Sequence, residues 1–257
     1  MSESPEALSP GGDPAWGALI PPEQWVVFEA GITALERADI RFLVHGALAL
    51  AIYTDHWRNT KDVDVIVCRA DRERATEALR KAGFEDYHEQ QSYDRSWIFR
   101  GFRGGVIFDL IWDLPNHRVE IDQGWFERAP LFSLRGRRLA AVPAEELIRV
   151  KLYVMQRERC DWVDVLNVIA GAVERIDWRW LVQRMGRDLP LLHGVLAVFN
   201  WMSPHRAAML PAWLREEFAL PRIEVDDAVA AEERRVRLFD CRPWFALHQP
   251  LDQPLER

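Results

Sequence analysis

The stretch Lys61-Asp62-Val63-Asp64-Val65-Ile66-Val67 decides how the rest of this chain is read. Its Val and Ile content predicts a strand over Val63–Val67. Side chains alternate faces along a strand, so Asp62 and Asp64 share one face, about 7 Å apart, while Val63, Val65 and Val67 share the other. Aspartate is depleted in strands, and two on one face repel each other. A divalent cation between them answers both problems, because Mg²⁺ takes one or two carboxylates together with substrate phosphates. Alone, the pair is equally compatible with two exposed edge residues.

Working outward, Val106-Ile107-Phe108-Asp109-Leu110-Ile111-Trp112 is apolar on both faces except at Asp109. Such a run reads as a buried strand, and a lone ionised carboxylate there is costly unless paired. Asp109 is therefore a third candidate cation ligand. Asp113, on the same face at the strand end, is the alternative, or simply a turn residue. Upstream, Arg41–His45 reads as a strand broken by Gly46 and followed by a short helix, Ala47–Tyr53. A glycine between a strand and a helix start allows close approach of an anion to free N–H groups, or merely a tight turn.

The flanking pattern is mixed and then helical. Pro21-Pro22-Glu23 opens a helix to about Ala38, and Asp71 is placed as the N-cap of a helix to Lys81. Hairpins are predicted over Ser96–Trp112, turning around Arg103-Gly104-Gly105, and over Leu131–Val142, turning at Gly136. From Pro143 the periodicity is helical: to about Met155, Asp161–Ala172, Asp177–Met185 and Leu189–Trp201. The expected fold class is α+β, a small mixed-sheet core followed by a C-terminal helical region. The expected division is a disordered leader over 1–20, a core over 21–142, a helical domain over 143–220 and a tail over 221–257, extended from Phe239.

The chain has 257 residues, 49% of them hydrophobic, enough for one large or two small cores. Its formal charge of −7 argues against coating nucleic acid by bulk electrostatics. Arg135–Arg159 nonetheless carries seven Lys/Arg against three acids, either a solvated face or an anion-facing patch. The three cysteines, Cys68, Cys160 and Cys241, form no CxxC pair. Neither a disulfide framework nor a zinc site is expected, and the setting reads as reducing and cytoplasmic. No apolar run reaches bilayer length, and no signal peptide is expected.

Three elements together carry a resemblance. Val44-His45-Gly46-Ala47, Arg58-Asn59-Thr60-Lys61-Asp62-Val63-Asp64 and Phe108-Asp109-Leu110 resemble the DNA polymerase β-like nucleotidyltransferase superfamily. They look most like its small bacterial members, the antibiotic nucleotidyltransferases and the abortive-infection toxin (AbiEii-like) group. A weaker likeness runs through Glu146-Leu147-Ile148, Lys151-Leu152, Arg157 and Asp161-Trp162-Val163-Asp164-Val165-Leu166. The resemblance implies transfer of a nucleoside monophosphate from an NTP, such as ATP, to an acceptor hydroxyl on tRNA, protein or a small molecule. It implies Asp62, Asp64 and Asp109 as catalytic ligands of two Mg²⁺ ions, with Mn²⁺ as a substitute. Gly46, Ala47, Arg58, Thr60, Lys151 and Asp161 become nucleotide contacts, and the likeness to the toxin group implies an antitoxin-like protein partner.

Independently of that likeness, Lys151 lies on the apolar side of its helix, where it must snorkel, pair or bind an anion. Asp161 is also placed to cap the next helix. One departure is Ala47, where the family commonly has Gly or Ser and where a hydroxyl contact to phosphate is lost. It favours the alternative of a non-catalytic nucleotide sensor or interaction module on the same fold. His45 reads as a packed histidine.

Overall fold

The computed structural model describes residues 12–224 and 227–238. The chain divides into two compact units, Met1–Pro143 and Ala144–Arg257. The first is built from α1 (Pro22–Arg37), β1 (Phe42–Val44), α2 (Gly46–Thr54), β2 (Asp62–Val67), α3 (Arg72–Lys81), β3 (Glu85–Asp86), β4 (Ile98–Arg103), β5 (Val106–Ile111), α4 (Gln123–Glu127), β6 (Leu131–Leu134) and β7 (Arg137–Ala140).

Five strands form one mixed sheet in the order β1-β2-β5-β4-β3. The central pair β2–β5 is parallel and its neighbours are antiparallel. Alternation buries Val63, Val65, Val67, Phe108 and Leu110 in one core with Phe28, Ile32 and Leu35 of α1 and Leu79 of α3. That leaves the opposite face at the start of β2 for Asp62 and Asp64, both half-buried. Contact with α1 is close enough that a Cβ at Gly31 would lie 2.2 Å from the Phe108 ring. The β6–β7 hairpin turns through Arg135 and Gly136, both at positive φ. It is tied to β1 where the Val142 N–H donates to the Val44 carbonyl.

The second unit contains α5 (Ala144–Leu152), α6 (Trp162–Ala172), α7 (Trp178–Met185), α8 (Leu189–Met202), α9 (Pro204–Ala207), α10 (Ala212–Glu217) and α11 (Ala228–Val236). Its core carries ions as well as apolar side chains. Glu146, 1% exposed, pairs with both Arg149 and Arg184. The Glu145 carboxylate accepts the N–H of Asp177, whose own side chain caps α7 by accepting from Trp180. The fold is α+β, a mixed-sheet unit and a helical unit. Among the described residues, no helix is long and apolar enough to cross a membrane.

Four expectations change. The leader is not disordered through residue 20: Ala15–Leu19 forms a 3-10 turn, Trp16 and Ile20 are buried, and Trp16 stacks on Trp57 at 5.9 Å. Burial of two large apolar side chains outweighs the Pro/Gly composition of the preceding residues. The tail contains α11, started by Asp227, whose carboxylate accepts from the N–H groups of Val229 and Ala230. Asp71 stands at the cap position of α3 but makes no capping bond: its backbone is helical, at φ −93° and ψ −2°, rather than extended as in a capping residue, and its carboxylate pairs with Arg74. Helix α5 stops at Leu152 rather than Met155, which instead bridges to Cys160 in antiparallel fashion. The extended reading of Phe239–Arg257, and the leader reading of residues 1–11, lie outside the described residues.

Candidate functional site

The site grows from strand register. In the parallel β2–β5 pair Asp64 stands directly beside Asp109, and Asp62 beside Ile107. In the antiparallel β4–β5 pair Arg100 stands directly beside Asp109. Paired positions point to the same face, so Asp64, Asp109 and Arg100 form one row across three strands, with Asp62 two residues away.

Asp109 is 2% exposed. Its carboxylate receives Arg100 on both oxygens, from Nε at 3.0 and 3.2 Å and from Nη2 at 2.8 Å. Burial pushes the Asp109 carboxyl above the ordinary carboxylate range; Arg100 opposes this and the charge of Asp62 adds to it. The Arg100 guanidinium is held above its ordinary value by the hydrogen bonds to Asp109, with smaller contributions from the charges of Asp62 and Asp64. One cation thus feels all three carboxylates. Thr60 donates its hydroxyl to Asp62 Oδ1.

The strand β1 hands over to α2 against the second acid. Gly46 sits at φ +58°, and a Cβ there would fall 1.8 Å from Asp64 Oδ2. Only glycine meets both conditions. Ala47 follows in the first turn of α2. Arg58 lies exposed in the loop before β2. Asp113, the alternative third acid, is engaged elsewhere: it accepts the Leu114 N–H at 2.7 Å and pairs with Arg69 at 2.7 Å.

Lys151 and Asp161 belong to the helical unit, where they meet each other. The Lys151 ammonium, on a side chain 7% exposed, lies 2.9 Å from Asp161 Oδ2 and 2.7 Å from Asp164 Oδ2. Asp161 also accepts two bonds from Arg159, at 2.8 and 2.9 Å. Burial alone would raise its pKa, but the Arg159 bonds and the Lys151 charge outweigh this and hold it below the usual value. Of the three fates open to a lysine on an apolar helix face, pairing is the one observed. Asp161 stands at the start of α6, yet its side chain makes no capping bond.

Three hard oxygen donors on one face suit Mg²⁺ or Mn²⁺ by chemistry, and the glycine opposite Asp64 leaves room a Cβ would fill. Among the described residues, however, no three His, Cys, Asp or Glu side chains are gathered to hold a metal ion as they stand. Arg100 has Asp109. That arginine was not anticipated from the sequence, although a signal exists. A two-residue turn at Gly104-Gly105 sets Arg103 opposite Val106, and counting back three residues along each strand sets Arg100 opposite Asp109.

An Asp-x-Asp strand, a parallel neighbour bearing a third aspartate and a glycine-started helix against the second acid make up the layout of a nucleotidyltransferase core. The chain belongs to a nucleotidyltransferase family, described as "Uncharacterised nucleotidyltransferase", whose model matches residues 32–201. A search of curated proteins finds no match. Among solved structures, the antibiotic-resistance factor ANT(2'')-Ia is 14% identical at a TM-score of 0.39, over 76% of this chain and 93% of that one. The lincosamide antibiotic adenylyltransferase LnuA, with lincomycin bound, is 8% identical at a TM-score of 0.40, over 58% and 96%. An antigenic nucleotidyltransferase-like protein from Paracoccidioides brasiliensis is 16% identical at 0.38, over 68% and 93%. The assignment rests on the family match.

Proposed function

We propose that the protein moves a nucleoside monophosphate from an NTP to an acceptor hydroxyl through divalent cations held by Asp62, Asp64 and Asp109. The observation that carries this reading is the placement of three aspartates on one sheet face, two of them in direct register. The bound cations would supply phosphate charge neutralisation and acidification of the hydroxyl. The acceptor oxygen attacks the α-phosphorus, the bond from that phosphorus to the α,β-bridging oxygen breaks, and pyrophosphate leaves. Asp109 takes the hydroxyl proton, as a carboxylate set beside the acidified acceptor can.

Gly46 and the first-turn amides of α2 receive the β- and γ-phosphates, and Ala47 offers only its backbone. Thr60 orients Asp62, and the exposed Arg58 neutralises phosphate charge. Lys151 and Asp161 are assigned to the nucleotide on the family resemblance.

The test is label transfer. The purified protein is incubated with Mg²⁺, each α-labelled NTP and separate acceptors: total tRNA, protein extract, aminoglycosides and lincosamides. Label appearing with the wild type and absent from the Asp62→Ala/Asp64→Ala variant supports the reading and names nucleotide and acceptor together. Metal-dependent NTP binding without transfer to any acceptor makes the protein a nucleotide sensor, the alternative that Ala47 favours. Neither binding nor transfer overturns both.

A further inference from the structure

Resting on the metal-site reading above, we propose that Arg100 is a displaceable counter-ion, occupying the cation's position on Asp109 and giving up that carboxylate when a divalent ion binds. Three features support it. The first is occupancy: the guanidinium contacts both oxygens of the innermost carboxylate at 2.8–3.2 Å, the bidentate geometry in which arginine holds a carboxylate most firmly. An ion approaching Asp62 and Asp64 must share or take that carboxylate, and it meets a positive charge already there.

The second feature is asymmetry of burial. The Asp109 side chain is 2% exposed and that of Arg100 is 33% exposed. The carboxylate is buried in the sheet, whereas a third of the Arg100 side chain is open to solvent. The third is anchoring of the backbone. The Arg100 N–H donates to the Tyr93 hydroxyl at 3.0 Å, and that hydroxyl donates to Asp86 at 2.8 Å. Release is therefore a rotation of one long side chain, with strand β4 left in place.

A counter-ion of this kind keeps three neighbouring carboxylates compatible in the metal-free protein. It also weakens metal binding, because each ion must displace a charge-assisted pair. An arginine that only orients Asp109 for the metal would do the reverse and strengthen binding. The two roles predict opposite signs for one measurement.

That measurement is Mn²⁺ affinity without nucleotide, read from the electron paramagnetic resonance of free Mn²⁺ and checked by calorimetry, on the full chain. Arg100→Gln is expected to bind Mn²⁺ about tenfold more tightly than the wild type. Its melting temperature should fall in chelator and recover on adding Mn²⁺. Arg100→Lys keeps the charge and loses the two-pronged contact, so it should bind more tightly than wild type by a smaller factor, and it carries the test if Arg100→Gln does not fold. Unchanged or weaker Mn²⁺ binding in the folded variants overturns the counter-ion while leaving the metal site standing. If neither wild type nor variants bind Mn²⁺, or if binding survives in Asp62→Ala/Asp64→Ala, the metal-site reading fails and takes the counter-ion with it.

Discussion

Gly46→Ala separates strain from chemistry at this site. The backbone at residue 46 has φ +58°, and placing an L side chain there costs about 1–2 kcal/mol. For a chain of this size that lowers the melting temperature by roughly 2–8 °C. The second effect is local. The new Cβ would lie 1.8 Å from Asp64 Oδ2 and 2.7 Å from its Cγ, where ordinary contact begins at 3.4 Å. The carboxylate must therefore move by about 1.6 Å, the difference between those two distances. A misplacement of about 1 Å at a reacting centre costs on the order of a hundredfold in rate, so label transfer should fall by about that factor or more.

Gly83→Ala supplies the matched control, since its φ is +84° and nothing lies within 4 Å of the added Cβ. It should show a similar loss of melting temperature and retain the wild-type rate. The assay pairs differential scanning calorimetry with initial rates of α-label transfer at saturating Mg²⁺. A wild-type rate in Gly46→Ala, or an equal loss in Gly83→Ala, would refute the argument that Gly46 exists to leave room for Asp64.

Two further outcomes follow from the charge environments. Because burial raises the Asp109 pKa, its ionised form is disfavoured in the folded state. Asp109→Asn should thus lose label transfer, and in chelator its melting temperature should gain on that of the wild type as pH rises through the raised pKa. That gain should be lost as pH falls and the wild-type carboxyl takes up its proton; a variant that gains on the wild type on acidification contradicts the assignment. Lys151→Met removes the cation shared by Asp161 and Asp164, and breaking a buried pair of this kind costs about 3–5 kcal/mol. Calorimetry should show that loss; an unchanged melting temperature with weakened NTP binding would instead place the lysine on the nucleotide.

Much of the site is readable from local pattern. Period-two alternation alone puts Asp62 and Asp64 on one face, and an apolar run interrupted only by Asp109 marks a buried strand. The break at Gly46 marks the strand-to-helix handover, and the change of period after Pro143 marks the passage from sheet to helices. These features depend on neighbours within a few residues, which is the range over which backbone geometry imposes order.

The tertiary structure decided the rest. That Asp109 rather than Asp113 stands beside Asp64 depends on the register of two parallel strands 45 positions apart in sequence, and no local periodicity sets it. The contact between Gly46 and Asp64, the ion pairs of Lys151 and the burial of Trp16 on Trp57 likewise arise only when distant segments pack. Arg100 sits between the two cases: the Gly104-Gly105 turn encodes its pairing with Asp109, but its influence over Asp62 and Asp64 exists only because β5 also pairs with β2. Sequence by itself marked Asp62, Asp64 and Asp109 as the candidate side chains and the strand face that each takes. Long-range register and burial determined which of them meet, because those depend on the whole packed core rather than on any one segment of chain.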